Sequence, residues 1–287
     1  MLPNPVIIDI SEWQVPSKIN YDVLAKQIAG VIVRVQYGSL HEDKHYQTHI
    51  TEFQKRQIPV AVYAWVRGTS LADMRQEARD FYQRASRFSP VFWWLDVEEQ
   101  SMTDMRNGVE AYLQELKKMG AKKVGAYIAN HLYQQFQLAT ETFEAIWLPT
   151  YGTNSGVYNG SNPTATTNYH LHQYTDKGRL NGYSGYLDLN RIVQGNLTTY
   201  FGQTTPPQPN QNQIQDQQVY QLQTAVYLRK EPNLNSPSLA LLPKDSQVVI
   251  DRLLFSEKYL WGRQPRADGS VAYLALGMLQ SYVKRVK

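Results

Sequence analysis

The chain has 287 residues, enough for one large domain and one small one, and a formal net charge of +4. It contains no cysteine, which excludes disulfides and thiolate metal sites, and no apolar run of ~18 residues, which excludes a membrane-spanning helix. The charge is uneven: acids and bases balance over residues 1–200, whereas residues 218–287 carry a net +5, a bias that suits a polyanionic partner.

Val6–Ile10 reads as an apolar strand, Tyr21–Ile28 as a helix and Gly30–Val35 as the next strand. Glu42–Arg56 has the pattern of a polar amphipathic helix. Pro59 marks a break before a third strand, Val60–Val66. Ser70, with Asp73 three residues on, caps a helix along which Met74, Ala78, Phe81, Tyr82, Ala85 and Phe88 recur at helical spacing. Pro90 opens a buried strand, Val91–Leu95. A helix over Thr103–Met119 is stopped by Gly120. Val124–Ala129, Ile146–Tyr151 and His170–Tyr174 complete a set of seven or eight strands, with helical patterning fading after Ile146. Short apolar strands alternating with helices over about 200 residues predict an α/β fold, a small and irregular closed (β/α) barrel. Residues 203–216, rich in Gln and Pro, have almost nothing to bury and read as a linker between a domain at 1–202 and another at 217–287. In the tail, Val226–Arg229, Ser246–Arg252, Trp261–Gln264, Val271–Leu274 and Gln280–Val283 predict a small all-β barrel.

The chemistry concentrates where apolar strands run out. Val91–Leu95 delivers Asp96 and Glu98, two positions that share a face in a strand. Paired carboxyls raise one another's pKa, and acid–base work on a sugar needs one carboxyl that keeps its proton near neutral pH. Asp9 follows Val6–Ile8, Gln36 and Tyr37 follow Val31–Val35, and Tyr63 and Trp65 lie on the third strand. Tyr127, Trp147 and Gln173 occupy later strands, and Asp188 sits in Tyr186–Asn190. The C-terminal strand ends of a (β/α) barrel converge on one face, so four carboxyls and several rings would meet in one cleft. His41, His45 and His49, with Glu42, fit a zinc-protease spacing on a helix. The intervening Asp43 and Lys44 make that face a solvated one, so no metal is expected. In the tail, Tyr227, Tyr259, Trp261 and Tyr273 are candidate binding rings.

Three motifs carry a resemblance: the opening Ile8-Asp9-Ile10-Ser11 with Trp13, the central Asp96-Val97-Glu98, and the closing Gly185-Tyr186-Leu187-Asp188-Leu189-Asn190-Arg191. With Gln173-Tyr174 ahead of Gly178-Arg179, they make residues 4–195 resemble the family-25 glycoside hydrolases, lysozyme-type muramidases of phages and bacteria. His172 stands where that family commonly has Trp, and Trp65 where it has His or Phe. The resemblance implies hydrolysis of the β-1,4 bond from N-acetylmuramic acid to N-acetylglucosamine in peptidoglycan. Glu98 would be the general acid. Asp96 would raise its pKa or orient a 2-acetamido group acting as internal nucleophile, and Asp9 and Asp188 would hold water, sugar or Asp96. The substrate-binding set would be Tyr37, Tyr63, Trp65, Tyr127, Trp147 and Gln173. The tail resembles bacterial SH3-like wall-binding modules through Tyr227-Leu228-Arg229-Lys230-Glu231-Pro232, Leu242-Pro243-Lys244-Asp245 and Gly269–Leu274. Its expected ligand is a wall peptide or an anionic wall polymer. The N-terminus lacks a secretory pattern, so a phage endolysin made in the host cytoplasm and released through a holin is expected. A bacterial autolysin and a non-catalytic glycan-binding protein are the alternatives. No cofactor, nucleic acid or membrane insertion is expected, and the chain is expected to be a monomer.

Overall fold

A computed structural model describes residues 5–202, 218–256, 259–266, 270–277 and 283–285. The chain divides into two compact units, Met1–Pro207 and Gln208–Lys287. The linker assigned to residues 203–216 lies outside the described residues. No helix among those described is long and apolar enough to cross a membrane.

In the first unit the strands are β1 (Ile7–Ile10), β2 (Gly30–Tyr37), β3 (His41–Glu42), β4 (Val60–Trp65), β5 (Trp93–Val97), β6 (Val124–Ile128), β7 (Ile146–Pro149), β8 (Leu171–Gly178) and β9 (Leu187–Ile192). The helices are α1 (Tyr21–Leu24), α2 (Tyr46–Lys55), α3 (Leu71–Ala85), α4 (Met105–Met119), α5 (Tyr133–Phe136) and α6 (Leu197–Phe201). The sheet runs β1-β9-β8-β7-β6-β5-β4-β2-β3, and a further β1–β2 pairing closes eight of these strands into a barrel, with β3 hanging from β2 as a hairpin. Pairing is parallel from β1 through β2 and β4 to β8, and antiparallel on both sides of β9. Closure leaves no exposed edge around the ring.

Strand alternation sorts the core into two layers. Val31, Val33, Val62, Leu95, Val97, Ala126 and Leu148 face outward onto α2, α3 and α4. Ile7, Ile32, Ala61, Tyr63, Trp94, Tyr127, Trp147 and Leu171 fill the interior with large rings. The floor is sealed by α6, whose Phe201 lies so close to Gly30 that a Cβ there would sit 2.6 Å from its ring. That arrangement requires glycine at the start of β2.

Several elements follow the sequence reading. Ser70 caps α3 by accepting from the Asp73 N–H, and Gly120 ends α4 in the left-handed region. Others depart from it. Tyr21–Ile28 is one α-turn continued by a 3-10 turn. The helix assigned to Glu42–Arg56 begins only at Tyr46, because His41 and Glu42 pair with Tyr37 and Gln36. The three histidines therefore share no helix face, and His49 is buried against Tyr21, its Nδ1 2.7 Å from the phenol oxygen. The central strand is shifted to Trp93–Val97, so Asp96 lies within it and Glu98 just beyond.

The second unit is all antiparallel β: β10 (Gln218–Leu222), β11 (Val226–Arg229), β12 (Ser238–Leu242), β13 (Gln247–Ile250), β14 (Arg252–Ser256), β15 (Tyr259–Pro265), β16 (Val271–Gly277) and β17 (Val283–Arg285). They form sheets of order β13-β10-β17 and β12-β11-β16-β15-β14. Leu222, Val226, Leu228, Val248, Ile250, Ala272, Leu274 and Leu276 make its core. The strand expected at Gln280–Val283 falls mostly outside the described residues.

Candidate active site

The mouth at the C-terminal strand ends is built by register. The β1–β9 pairing sets Asp9 directly opposite Asp188. Arg34 is level with Tyr63, Trp65 with Asp96, and Asp96 with Tyr127. Pro149 is level with Gln173, and Gln173 with Asn190. The ring therefore presents four carboxyls, two amides and several phenols to one space.

Asp9 is the best-tied of the acids. Gln173 Nε2 donates to both its oxygens, at 3.2 and 3.0 Å, and Asn190 Nδ2 donates to Oδ2 at 2.7 Å. Gln173 is itself fixed, its Oε1 accepting from the Tyr127 hydroxyl at 3.0 Å and the Tyr151 hydroxyl at 2.6 Å. Burial pushes Asp9 up, and these donors oppose the rise. Asp188 is pushed well up by burial, by the Asp9 charge and by a hydrogen bond to Asp9 that favours its protonated form. The pair thus favours a single negative charge, with Asp188 the member driven more strongly toward its protonated form.

Asp96 is buried, and among the described residues its Oδ1 has no hydrogen-bond partner. Burial raises its pKa well above the usual range, and the charges of Glu98 and Asp9 raise it further. Burial also lifts Glu98, to about 7, with help from Asp9 and Glu99. Arg34 opposes both rises. A carboxyl that titrates near neutrality at a barrel mouth can donate a proton to a leaving group.

Arg34 was not evident as a site residue, although a cation inside Val31–Val35 is an anomaly that inward alternation explains. Its Nε binds Asp43 at 3.0 Å and its NH2 lies 3.7 Å from Glu12. His41 Nε2 is 2.8 Å from Glu12. Glu12, His41 and Asp43 bring donor atoms within 4.8 Å of one another, but the guanidinium already supplies this cluster with its cation.

On the rim, the Tyr37 and Trp65 rings lie 5.0 Å apart, and the Arg67 guanidinium sits 4.5 Å over Tyr37. Trp65 Nε1 and Arg67 Nε both donate to Glu99. Tyr63 and Tyr127 are nearly covered within the barrel wall. Trp147, expected to meet substrate, is fully buried with its edge on Tyr127 and Trp94; it supports the floor of the cleft. His172 faces away from the mouth. Arg191 Nε donates to its Nδ1, so Nε2 carries the hydrogen and donates to the Thr150 carbonyl at 2.8 Å. Burial lowers its pKa to about 4, which keeps it neutral. Asn190, Tyr151, Glu99 and Arg34 are the mouth residues the sequence reading missed. Asn190 was accessible, since it shares the inward phase of Asp188.

In the second unit Tyr227 is half exposed and lies 5.6 Å beneath the Arg229 guanidinium; Tyr259 and Tyr273 are partly covered. Trp261 is fully buried, which corrects its place among the binding rings: its strand turns it into the core.

A barrel whose mouth gathers a half-buried acid near pH 7, a second buried carboxyl and an amide-clamped acid pair has the equipment of a glycosidase. The chain belongs to family 25 of the glycosyl hydrolases, whose sequence profile matches residues 8–183. It is a glycoside hydrolase. A family-25 hydrolase of Streptococcus pneumoniae, GHIP, described as a virulence factor in host cell invasion, is 40% identical over 69% of this chain and 93% of its own, with a TM-score of 0.67. The catalytic domain of endolysin ply40 from Listeria monocytogenes bacteriophage P40 is 24% identical over 69% and 97%, with a TM-score of 0.64. The autolysin LytC of Streptococcus pneumoniae, solved with a synthetic peptidoglycan ligand, is 22% identical over 66% and 46%, with a TM-score of 0.54. Among curated proteins, none matches by sequence.

Proposed function

We propose that the chain is an N-acetylmuramidase that cleaves the β-1,4 bond from N-acetylmuramic acid to N-acetylglucosamine in peptidoglycan. The observation that carries this reading is Glu98, held near pH 7 beside the buried Asp96. Glu98 donates its proton to the glycosidic oxygen as the bond breaks. Asp96 Oδ1, unpartnered among the described residues, is free to accept from the substrate's 2-acetamido N–H. Accepting that hydrogen bond would push the acetamido oxygen toward the anomeric carbon, a substrate-assisted route. Asp9, tied by Gln173 and Asn190, fixes the charge that faces the reacting centre.

The second unit is proposed to be a wall-binding module of SH3-like type, and the whole a peptidoglycan lytic enzyme. The enzyme-plus-module layout supports a phage endolysin, released to the wall through a holin, with a bacterial autolysin as the competing reading. Bond choice has a direct test. Digested peptidoglycan is reduced with borohydride and the reduced sugar identified. Reduced N-acetylmuramic acid is expected; reduced glucosamine ends, or new peptide amines without new reducing ends, would reject the proposal.

A further inference from the structure

The same mouth carries a cavity of about 490 Å³ that the four carboxyls do not occupy. It lies between the turn over residues 151–157 and the β8–β9 hairpin, with Asn154, Val157, Lys177, Arg179 and Tyr186 in its wall. It adjoins the catalytic groups through Tyr151, which clamps Gln173 by its hydroxyl and accepts from the Asn154 N–H by its carbonyl at 2.9 Å. The wall is braced. Thr175 Oγ1 donates to Asn154 Oδ1 at 2.8 Å, and Asn154 Nδ2 donates to Asp176 at 2.7 Å. Gly156, at φ +85°, lets the turn press onto β8, where a Cβ would fall 2.7 Å from the Lys177 carbonyl oxygen.

The lining combines two chemistries. Val157 and Tyr186 bring exposed apolar side chains to the same wall. Arg179 is held 4.4 Å over the Tyr186 ring and donates to the Ser184 carbonyl, so its charge is positioned rather than free-swinging. Among the described residues neither Lys177 nor Arg179 has an ion-pair partner. The cavity is therefore cationic and partly apolar beside an acidic centre. A neutral sugar does not call for two unpaired cations; a short peptide ending in carboxylates does.

We propose that this cavity binds the peptide stem carried on the lactyl group of the muramic sugar, with a stem carboxylate between Lys177 and Arg179, and that it makes the enzyme select peptide-bearing glycan. This rests on the muramidase reading, because only that substrate places a peptide beside the scissile bond.

The test uses the full chain and soluble glycan fragments freed of anionic wall polymers, either with intact stems or with stems removed. Lys177→Ala, Arg179→Ala and the double variant are compared with wild type by reducing-end release, with circular dichroism as a check on folding. The double variant should lose roughly tenfold in kcat/KM on stem-bearing fragments. On stripped fragments it should stay within about twofold of wild type. Lys177→Glu should deepen the loss on stem-bearing fragments, and high salt should narrow the gap between wild type and double variant. Equal losses on both substrates, no loss on either, or a loss seen only when wall polymers are left in place would each overturn the pocket's assignment. A wild-type chain that cleaves neither fragment would instead overturn the muramidase reading and take this proposal with it.

Discussion

Glu98 keeps its proton because the fold removes much of its water and sets Asp9 and Glu99 nearby, against the pull of Arg34. A carboxyl at about 7 in the fold and near 4.5 in the unfolded chain favours the fold at low pH, and that advantage is lost as pH rises through 7. Glu98→Gln should therefore have two separable effects. Activity on walls should fall at least ~100-fold, the usual worth of a positioned acid. Thermal stability should rise relative to wild type at pH 8, by roughly 1–3 kcal/mol, and converge with it near pH 4. Calorimetry at both values reads the second effect, and a variant no more stable at pH 8 would count against a perturbed Glu98. In the free enzyme, kcat/KM should fall as pH rises through about 7. Glu99 is the adjustable neighbour. Glu99→Gln keeps an acceptor for Trp65 and Arg67 while deleting a charge, so the basic limb should move down by a few tenths of a pH unit. An unmoved limb would show that Glu99 does not set the acid.

Register does at the level of strands what pKa does at the level of atoms. Asp9 opposite Asp188 is a cross-strand acid pair that would repel if both were ionised. It is tolerated because burial and the Asp9 charge drive Asp188 toward its protonated form while two amides donate to Asp9. Much of this was legible in the chain. Short apolar runs foretold the barrel strands, and Asp9, Asp96, Glu98 and Asp188 stood out as charges at the ends of such runs. Less visible were features set by pairing and not by local pattern. The two-residue strand His41–Glu42 exists only because Gln36 and Tyr37 pair with it. Trp261 reads alike whether its strand points it inward or outward, and the register decides. Arg34 and Asn190 belong to the same class, polar groups within strands that closure turns toward the mouth. The floor offers a test of the barrel independent of its chemistry. Phe201 on α6 is fully buried with Phe92, Tyr200 and Trp94 at the N-terminal strand ends. Phe201→Ala should destabilise by about 3–5 kcal/mol, the usual cost of emptying an aromatic site. Its kcat on soluble substrate at a temperature where it is folded should stay within a few-fold of wild type, because the cavity opens at the far end from Glu98. A large loss of kcat without loss of stability would contradict this division between floor and mouth.

The two units invite separate tasks, and among the described residues the second supplies no carboxyl pair like that of the barrel. Its net positive charge lies on a scaffold that leaves Tyr227 and Leu241 exposed and directly paired across β11 and β12, with Arg229 over the tyrosine. Exposed aromatic and aliphatic surface beside a cation suits attachment to a polymer more than catalysis on it. In the wall-binding role proposed for this unit, tethering a weak binder to a hydrolase would raise enzyme concentration at an insoluble wall without altering the bond-breaking step. A chain of residues 1–202 should then cleave soluble muropeptide fragments at a rate close to that of the full protein and lose activity on intact cells. Residues 216–287 alone should sediment with purified walls, and Tyr227→Ala with Leu241→Ala should weaken that binding while Trp261 is left in place to hold the core. Salt should weaken the attachment if wall anions contribute, and affect it little if a peptide seated on the aromatic face dominates. A tail that stays in the supernatant at low salt, or a truncated barrel that clears cells as fast as the full chain, would refute the division of labour.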